Sequence, residues 1–216
     1  MTQRLKIDFV SDVACPWCAV GLSSLQQAMA RVRDDVDVEL HFHPFELNPD
    51  MPPEGEDVVE HLAHKYGSTP EQIAHNSEAI SQRGADVGFA FDFGRRNRIY
   101  NTFDAHRLLH WAGLEDKQLE LKKALLTSYF TLGEDTSNHE ALVQVVKRVG
   151  LDPERARAIL ASDEFADDVR REEQFFMSQG IRSVPAVIIN ERHLISGGQP
   201  VEVFEQALRQ LAKENA

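Results

Sequence analysis

Apolar and polar positions follow two different periods in the first 47 residues. The stretch "KIDFVSD" begins with apolar residues that favour β-structure, and "VDVELHF" alternates between apolar and polar positions, so each predicts a strand. Between them, in "AVGLSSLQQAMARV", apolar residues return at the spacing of a helix. The pattern therefore predicts a βαβ unit at the start of the chain.

The middle of the chain has a different character. "NPDMPPEGED" is rich in proline and acidic residues and is typical of a linker. From about residue 56 to 179 the strand signal almost disappears, and segments with helical periodicity follow one another. One of these helices is predicted to start near Pro70, with Thr69 or Ser68 as its N-cap.

The strand signal returns after Gly180. "PAVIIN" predicts a strand, "RHLISGGQ" its partner across a short turn, and "PVEVFEQALRQLAKEN" a closing amphipathic helix. The whole chain then reads as α/β, with an outer domain made of residues 1–48 and 180–216 and a helical insertion domain made of residues 49–179. A length of 216 residues is enough for one domain, or for two small ones, to bury a core.

The net charge and the distribution of apolar residues limit the classes of partner that we expect for this protein. The formal net charge of −12 argues against nucleic acid or an anionic membrane as the main partner, because both select basic surfaces. No apolar run is long enough for a membrane-spanning helix, and the N-terminus lacks the features of a secretory signal. We therefore expect a cytoplasmic protein.

Both cysteines of the chain lie in "SDVACPWCAVG", at the predicted junction of the first strand and the first helix. A structural disulfide is unexpected in a reducing compartment, and such a small loop would stabilise little. A thiol in the first turn of a helix faces unpaired N–H groups and the positive end of the helix dipole, which favour the thiolate. We expect Cys15 to be the exposed nucleophile and Cys18 the buried resolving thiol.

Two motifs together carry a family resemblance. "ACPWC" and the distant "SVPAV" resemble the DsbA-type thiol–disulfide oxidoreductases, and "PFELNPDMP", "NTFDAHRLLHWA" and "GIRSVPAVIIN…SGGQP" resemble the FrnE-like subgroup. The resemblance covers nearly the whole chain. It implies a thioredoxin-like fold (βαβ…ββα) interrupted by a large all-helical insertion. It also implies an oxidoreductase or isomerase that acts on protein disulfides and needs no metal or organic cofactor.

The resemblance also implies roles for particular residues. The family's proline at the position of Pro185 is cis and lies beside the cysteines, which leaves the backbone of Val184 free to pair with a substrate peptide. Taken alone, Pro185 could simply open a strand. Pro16, whose fixed φ suits a first helical position, and Trp17 are expected to contact substrate and tune the redox potential.

Groups that move a proton or favour the thiolate are the next candidates. Thioredoxin-like proteins often place a buried acid near the dithiol, and Asp8 resembles it, although it lies one residue further from Cys15 than usual. Asp12 is the competitor, or it caps the helix. His106 and His110 share one helix face, and a protonated histidine near Cys15 would favour its thiolate. Two surface histidines are the alternative.

Three other functions compete with dithiol exchange. Zinc needs four ligands, and the nearest pair to the cysteines is His41 and His43, so no metal site is predicted. Kappa-class glutathione transferases and 2-hydroxychromene-2-carboxylate isomerases share the fold plan but usually carry serine at the reactive position. Here both positions are cysteine, which favours dithiol exchange, and glutathione or another thiol could then recycle the site as a co-substrate. The third alternative is a holdase, a binding protein whose helical domain captures unfolded chains. It would keep its activity after Cys15→Ser.

Overall fold

The computed structural model describes residues 3–214; residues 1–2 and 215–216, at the ends of the predicted outer domain, lie outside the described residues. The strands are β1 (Gln3–Ser11), β2 (Val36–Pro44), β3 (Glu56–Asp57), β4 (Arg98–Ile99), β5 (Ala186–Ile189) and β6 (His193–Ser196). The helices are α1 (Pro16–Val32), α2 (Val58–Tyr66), α3 (Pro70–Asp86), α4 (Phe103–Leu114), α5 (Gln118–Phe130), α6 (His139–Arg148), α7 (Pro153–Leu160), α8 (Ala166–Ser178) and α9 (Val201–Glu214).

The main sheet has the strand order β2–β1–β5–β6. β1 and β2 are parallel because α1 carries the chain back along the sheet before β2 begins. β5 runs antiparallel to β1, and β6 runs antiparallel to β5. This arrangement confirms the predicted α/β, thioredoxin-like fold with a large helical insertion.

The insertion is not entirely helical. β3 and β4 pair antiparallel inside it, with Glu56 opposite Ile99 and Asp57 opposite Arg98. The prediction of an all-helical insertion is wrong in this detail. Strands of two residues are too short to show alternation, so the periodicity of the sequence could not reveal them.

One face of the sheet is covered by α1 and α9. Leu5, Ile7 and Phe9 point to this face from alternate positions of β1, and all three are completely buried. They join Leu25 of α1 and Phe204 of α9 in one hydrophobic cluster. This packing fixes the N-terminus of α1 next to the end of β1.

The opposite face of the sheet meets helices of the insertion. α4 and α8 both contact β2. Val10 of β1 packs with Phe176 of α8, Ile181 and Ala186 in a second hydrophobic cluster. The insertion therefore brings its side chains directly against the sheet on the side away from α1.

The start of α3 agrees with the sequence. Thr69 Oγ1 accepts from the N–H of Gln72 at 3.3 Å, and Gln72 Oε1 accepts from the N–H of Thr69 at 2.9 Å. This reciprocal capping box satisfies two N–H groups at the helix start and precedes Pro70 as the first helical residue. It confirms Thr69, rather than Ser68, as the N-cap.

Candidate active site

Cys15 lies at the N-cap of α1, a short turn after β1. Its N–H donates to the Asp12 carbonyl at 3.3 Å, and its own carbonyl accepts from the Cys18 N–H at 3.1 Å. Both cysteines are free thiols, so the structure shows the reduced dithiol. Cys18 is fully buried, as predicted. The prediction that Cys15 is exposed is wrong, because only 4% of the residue is accessible.

The loop that carries Pro185 explains this burial. The Val184–Pro185 peptide bond is cis, and the Cys15 thiol donates to the Val184 carbonyl oxygen at 3.6 Å. Pro185 packs against α1 at Gly21, where an added Cβ would lie 3.1 Å from Pro185 Cγ. Because Gly21 has no side chain, the loop approaches the helix closely and places the Val184 backbone beside the thiol.

Pro16 and Trp17 occupy the first turn of α1. Pro16 is the first helical residue, where its missing N–H leaves no bond unmade. Trp17 is 38% exposed. A Cβ on Gly198 would lie 2.9 Å from the Trp17 carbonyl oxygen, so this glycine lets the loop before α9 pack against the same turn. The Trp17 ring therefore forms an accessible rim next to the buried thiol.

Tyr66, the last residue of α2, is a second exposed aromatic residue near the dithiol. It is 61% exposed. Partial burial of the phenol and the negative charge of Cys15 raise the pKa of Tyr66, which places it within electrostatic range of the thiolate. Its neighbour Lys65 holds the helix end by donating to the Leu47 carbonyl and to Asn48 Oδ1, both at 2.6 Å. No pattern in the sequence marked Tyr66.

Cys18 has an environment that keeps it protonated. Burial raises the pKa of Cys18 well above its ordinary value, and its hydrogen bond with Cys15 and the charge of Cys15 add to this shift. The positive charge of Lys122 and a hydrogen bond from the Asp12 backbone act in the opposite direction. Cys18 must therefore lose its proton to a neighbouring base before it can attack a disulfide.

Asp12 is the buried carboxylate next to the dithiol. Its Oδ2 accepts from the N–H of Leu47 at 2.8 Å, and its Oδ1 lies 3.2 Å from His106 Nε2 and accepts from the N–H of Ala14 at 3.4 Å. Burial alone would raise its pKa, but the hydrogen bond and charge of His106, with the other donors, hold the pKa of Asp12 below its usual value. His106 therefore reaches the site through Asp12.

Asp8 occupies a different environment. Its carboxylate lies 2.9 Å from His43 Nε2 and 3.3 Å from Lys6 Nζ, on the sheet face that meets α8. Burial opposes ionisation, but the hydrogen bond with His43 and the two neighbouring charges hold the pKa of Asp8 below its usual value. No hydrogen bond within residues 3–214 joins Asp8 to either thiol.

Lys122 of α5 is a charged group that the sequence did not reveal as part of the site. Its side chain is almost completely buried. Burial lowers the pKa of Lys122, and the charges of Cys18, Asp12 and Cys15 oppose that shift. In the sequence it is an ordinary lysine on a predicted helix. Only the packing of α5 against α1 brings it close to the dithiol.

Two further buried acids form a separate group around Arg170. Glu46 and Glu173 share the guanidinium of Arg170, which is 2.8 Å from Glu173 Oε2, and each has one carboxylate oxygen without a partner in the described chain. Burial and the nearby charge of Glu173 raise the pKa of Glu46 to about 7, although the hydrogen bond and charge of Arg170 act against this shift. His106 adds an opposing charge effect, which links this pair to Asp12.

A histidine–carboxylate cluster joins α8 to the sheet and to α4. Glu172 of α8 lies 3.1 Å from His43 of β2 and 3.2 Å from His110 of α4. Burial opposes ionisation of Glu172, but its two histidine partners lower its pKa to about 2. The hydrogen bond with Glu172 raises the pKa of His110, and bonds with Asp8 and Glu172 raise that of His43 against the effect of burial.

We expect Glu172→Gln to destabilise the protein in a pH-dependent way. The raised histidine pKa values stabilise the fold fully below 6.5 and lose this effect as pH rises through the folded values, whereas the Glu172 contribution is complete above 4.5 and is lost as pH falls towards about 2. The loss in unfolding free energy should be about 1–2 kcal/mol near pH 5.5 and smaller near pH 8.5.

Urea unfolding of the two proteins at both pH values measures this difference. Asp167→Asn, an exposed neutralisation in the same helix, is the matched control and should show little change with pH. A loss from Glu172→Gln that is equal at both pH values, or larger at the higher one, would contradict the assignment of the cluster.

The dithiol at the start of α1, beside a cis-proline loop in a four-stranded sheet, defines a thioredoxin-like class of protein. The family model of the DSBA-like thioredoxin domain matches residues 6–209. The chain therefore belongs to the DsbA-like family of thiol–disulfide oxidoreductases.

Solved structures share this fold. A probable DsbA oxidoreductase from Streptomyces coelicolor superposes with a TM-score of 0.88 at 34% identity, covering 98% of this chain and 91% of that one. The cytosolic disulfide reductase DsbM from Pseudomonas aeruginosa, solved with GSH, has a TM-score of 0.66 at 16% identity and 96% and 99% coverage. A 2-hydroxychromene-2-carboxylate isomerase has a TM-score of 0.71 at 12% identity and 97% coverage of both chains. The last two show the fold alone.

Among residues 3–214, no group of three or more His, Cys, Asp and Glu side chains is arranged to hold a metal ion, and His41 and His43 pair with Glu39 and Asp8 instead. Across the same residues, none of the helices combines the length and apolar character needed to cross a membrane.

Proposed function

We propose that this protein exchanges disulfides with protein substrates through Cys15 and Cys18. The observation that carries the proposal is the 3.6 Å contact between the Cys15 thiol and the Val184 carbonyl, beside Pro185. A substrate backbone that pairs with Val184 would bring its own disulfide to the Cys15 sulfur. Pro16 and Trp17 then border the same entry, and Trp17 offers an exposed aromatic face to the substrate.

The chemical steps follow from the positions of the two thiols. The Cys15 thiolate attacks one sulfur of the substrate disulfide, a mixed disulfide forms, and the other substrate sulfur leaves and takes a proton. Cys18 then loses its proton and attacks the Cys15 sulfur. This step releases the second substrate thiol and forms the Cys15–Cys18 disulfide, so two electrons pass from the protein to the substrate. The reverse sequence oxidises a dithiol.

Asp12, rather than Asp8, is our candidate for the carboxylate that influences the loss of the Cys18 proton. Its backbone N–H bonds to Cys18, and its carboxylate and Lys122 both lie in the buried space around the dithiol. The positive charge of the buried Lys122 would stabilise the Cys18 thiolate as the proton leaves, and the Asp12 carboxylate balances the charge of the lysine. His106 supports this arrangement through its 3.2 Å contact with Asp12.

Glutathione is the proposed recycling thiol, and the cytoplasm the proposed compartment. The structure with GSH belongs to a cytosolic disulfide reductase of the same fold, which supports both parts of this proposal. In such a compartment the protein would work as a reductase or isomerase, since the thiol pool keeps the dithiol reduced. No cofactor beyond the dithiol enters the proposed cycle.

A glutathione-dependent isomerase or transferase is the second candidate. The superposition with 2-hydroxychromene-2-carboxylate isomerase, with a TM-score of 0.71, supports it at the level of the fold. Cysteine at both positions 15 and 18 favours disulfide exchange instead, because the second thiol can resolve a mixed disulfide and would have no role in activating glutathione.

Two assays distinguish these two candidate functions. They are the reduction of insulin and the refolding of a scrambled substrate, each carried out with glutathione. We expect activity in the wild type, loss of activity in Cys15→Ser and no effect of a metal chelator. Isomerisation of 2-hydroxychromene-2-carboxylate is measured in parallel. Isomerase activity without activity on either protein disulfide would replace the proposed function by the second candidate, and prevention of aggregation that survives Cys15→Ser would indicate a holdase.

A further inference from the structure

Glu46 and Glu173 are buried acids that the proposed cycle does not use. Their side chains are only 2% and 8% exposed, and both accept from Nη1 of Arg170. The guanidinium also stacks on the Phe103 ring, 3.8 Å from its centre, so its position is fixed. Two carboxylates against one guanidinium leave a net negative charge on a largely buried cluster, which is unfavourable unless one acid takes up a proton.

The second oxygens of the two acids lead to the same conclusion. Within residues 3–214, Glu46 Oε1 and Glu173 Oε1 are buried and neither has a hydrogen-bond partner. Ionised oxygens that are buried without donors are costly, whereas a proton shared by the two acids supplies a donor. Glu46 is the member whose pKa rises to about 7, so its charge changes in the neutral pH range.

The backbone connects Glu46 to Asp12. Glu46 directly precedes Leu47, whose N–H donates to Asp12 Oδ2 at 2.8 Å. The bond between the Glu46 side chain and Arg170 therefore holds the segment that supplies a donor to the acid beside the dithiol. A change of charge at Glu46 acts on this segment from one residue away.

A second connection is electrostatic and passes through His106. The charges of His106 and Glu46 attract each other, and His106 Nε2 lies 3.2 Å from Asp12 Oδ1, which defines a His106–Asp12 pair. Because opposite charges attract, an ionised Glu46 favours a proton on this pair. The other charged groups that act on Glu46 are Arg170 and Glu173, both from α8. The backbone and the electrostatic connection therefore both end at Asp12.

We propose that Glu46 is a positioning residue for the resolving step and that it acts through the His106–Asp12 pair. This role rests on the proposed function. In the resolving step the Cys18 proton passes to the pair. The Cys18 thiolate attacks the Cys15 sulfur, the bond between Cys15 and the substrate sulfur breaks, and the departing thiolate takes a proton from water. The pair later returns its proton to water. An ionised Glu46 stabilises the proton on the pair and so accelerates the step, whereas a protonated Glu46 does not.

Single turnovers of the reduced protein with oxidised glutathione, followed by rapid quench across the neutral pH range, test this role. Glu46→Gln keeps the shape of the side chain and imitates its protonated form. The variant should resolve the mixed disulfide within about twofold of the wild-type rate near pH 5.5, and about fivefold more slowly near pH 8.5. The ratio of the two rates should change with a midpoint at a pH of about 7. A merely structural role would slow the variant equally at every pH.

Glu173→Gln provides a second, independent measurement. It removes the charge that helps to raise the pKa of Glu46, so Glu46 should ionise at lower pH. When the effect of Glu46→Gln is measured in this background, its midpoint should therefore move to lower pH. Glu78→Gln, at an exposed position of α3, is the matched control and should follow the wild type at every pH.

Three results would overturn the role of Glu46. They are an equal loss of rate at low and high pH, no loss near pH 8.5, and a midpoint that Glu173→Gln leaves in place. In each of these cases the wild type still forms and resolves the mixed disulfide, so the proposed function stands. A wild type that forms no mixed disulfide would contradict the proposed function and, with it, this role.

Discussion

Replacing Cys18 by serine is expected to turn the protein into a covalent trap for its substrates. The Cys15 thiolate would still attack a substrate disulfide, but no second thiol would resolve the mixed disulfide. Turnover of insulin should fall by roughly a thousandfold, while adducts that dissolve on addition of dithiothreitol accumulate in stoichiometric amounts. Non-reducing electrophoresis and intact mass measure the adducts directly.

Cys15→Ser is the control for this experiment, because it leaves Cys18 as the remaining thiol. Burial raises the pKa of Cys18 well above its ordinary value, so Cys18 is a poor nucleophile at neutral pH and should form few adducts. Adducts that form with Cys15→Ser and not with Cys18→Ser would exchange the roles of the two thiols. If neither variant forms adducts, the result would contradict the dithiol mechanism.

Replacing Asp12 by alanine is expected to cause the second large effect, a loss of about 3–5 kcal/mol in the free energy of unfolding at pH 7. The substitution leaves the partly buried Leu47 N–H and the buried His106 without their shared partner. Since the pKa of Asp12 is lowered in the folded state, its contribution is complete above the ordinary aspartate value of 3.8 and is lost as pH falls below it. Urea unfolding at pH 7 measures the loss.

Asp12→Asn and Asp8→Asn together separate stability from chemistry. Each keeps the shape of the side chain and removes its charge. We expect Asp12→Asn to slow the resolution of the mixed disulfide by about tenfold, measured by rapid quench, because it alters the charge balance around Cys18 and Lys122. Asp8→Asn should leave that rate unchanged. A slower rate in Asp8→Asn alone would make Asp8 the acid of the dithiol.

The main fold could be predicted because its signals are local. Alternation along β2 and helical spacing along α1 depend on neighbours in the sequence, and the same applies to the turn chemistry that starts α3 at Thr69. The two cysteines share one short stretch at a strand–helix junction, so their place at the N-terminus of α1 was also predictable. The family resemblance added the cis form of the Val184–Pro185 bond.

The roles around the dithiol could not be decided in the same way. Asp8 and Asp12 are both aspartates near the end of one strand, and only the helices packed around them distinguish the two. His106, which contacts Asp12, is 94 residues away in the sequence, and His43, which contacts Asp8, is 35 residues away. The pairing of β1 with β2 and the docking of α4 determine which acid meets which histidine.

The sequence by itself determined the βαβ and ββα units, the helical character of most of the insertion and the position of the dithiol. Only the tertiary structure decided that Cys15 is covered by the Val184 loop, 169 residues away, that Lys122 lies near the site, and that Glu46 shares Arg170 with Glu173. The physical reason is that periodicity and capping act between neighbouring residues, whereas burial, charge pairing and cavities arise between segments that are distant in the sequence.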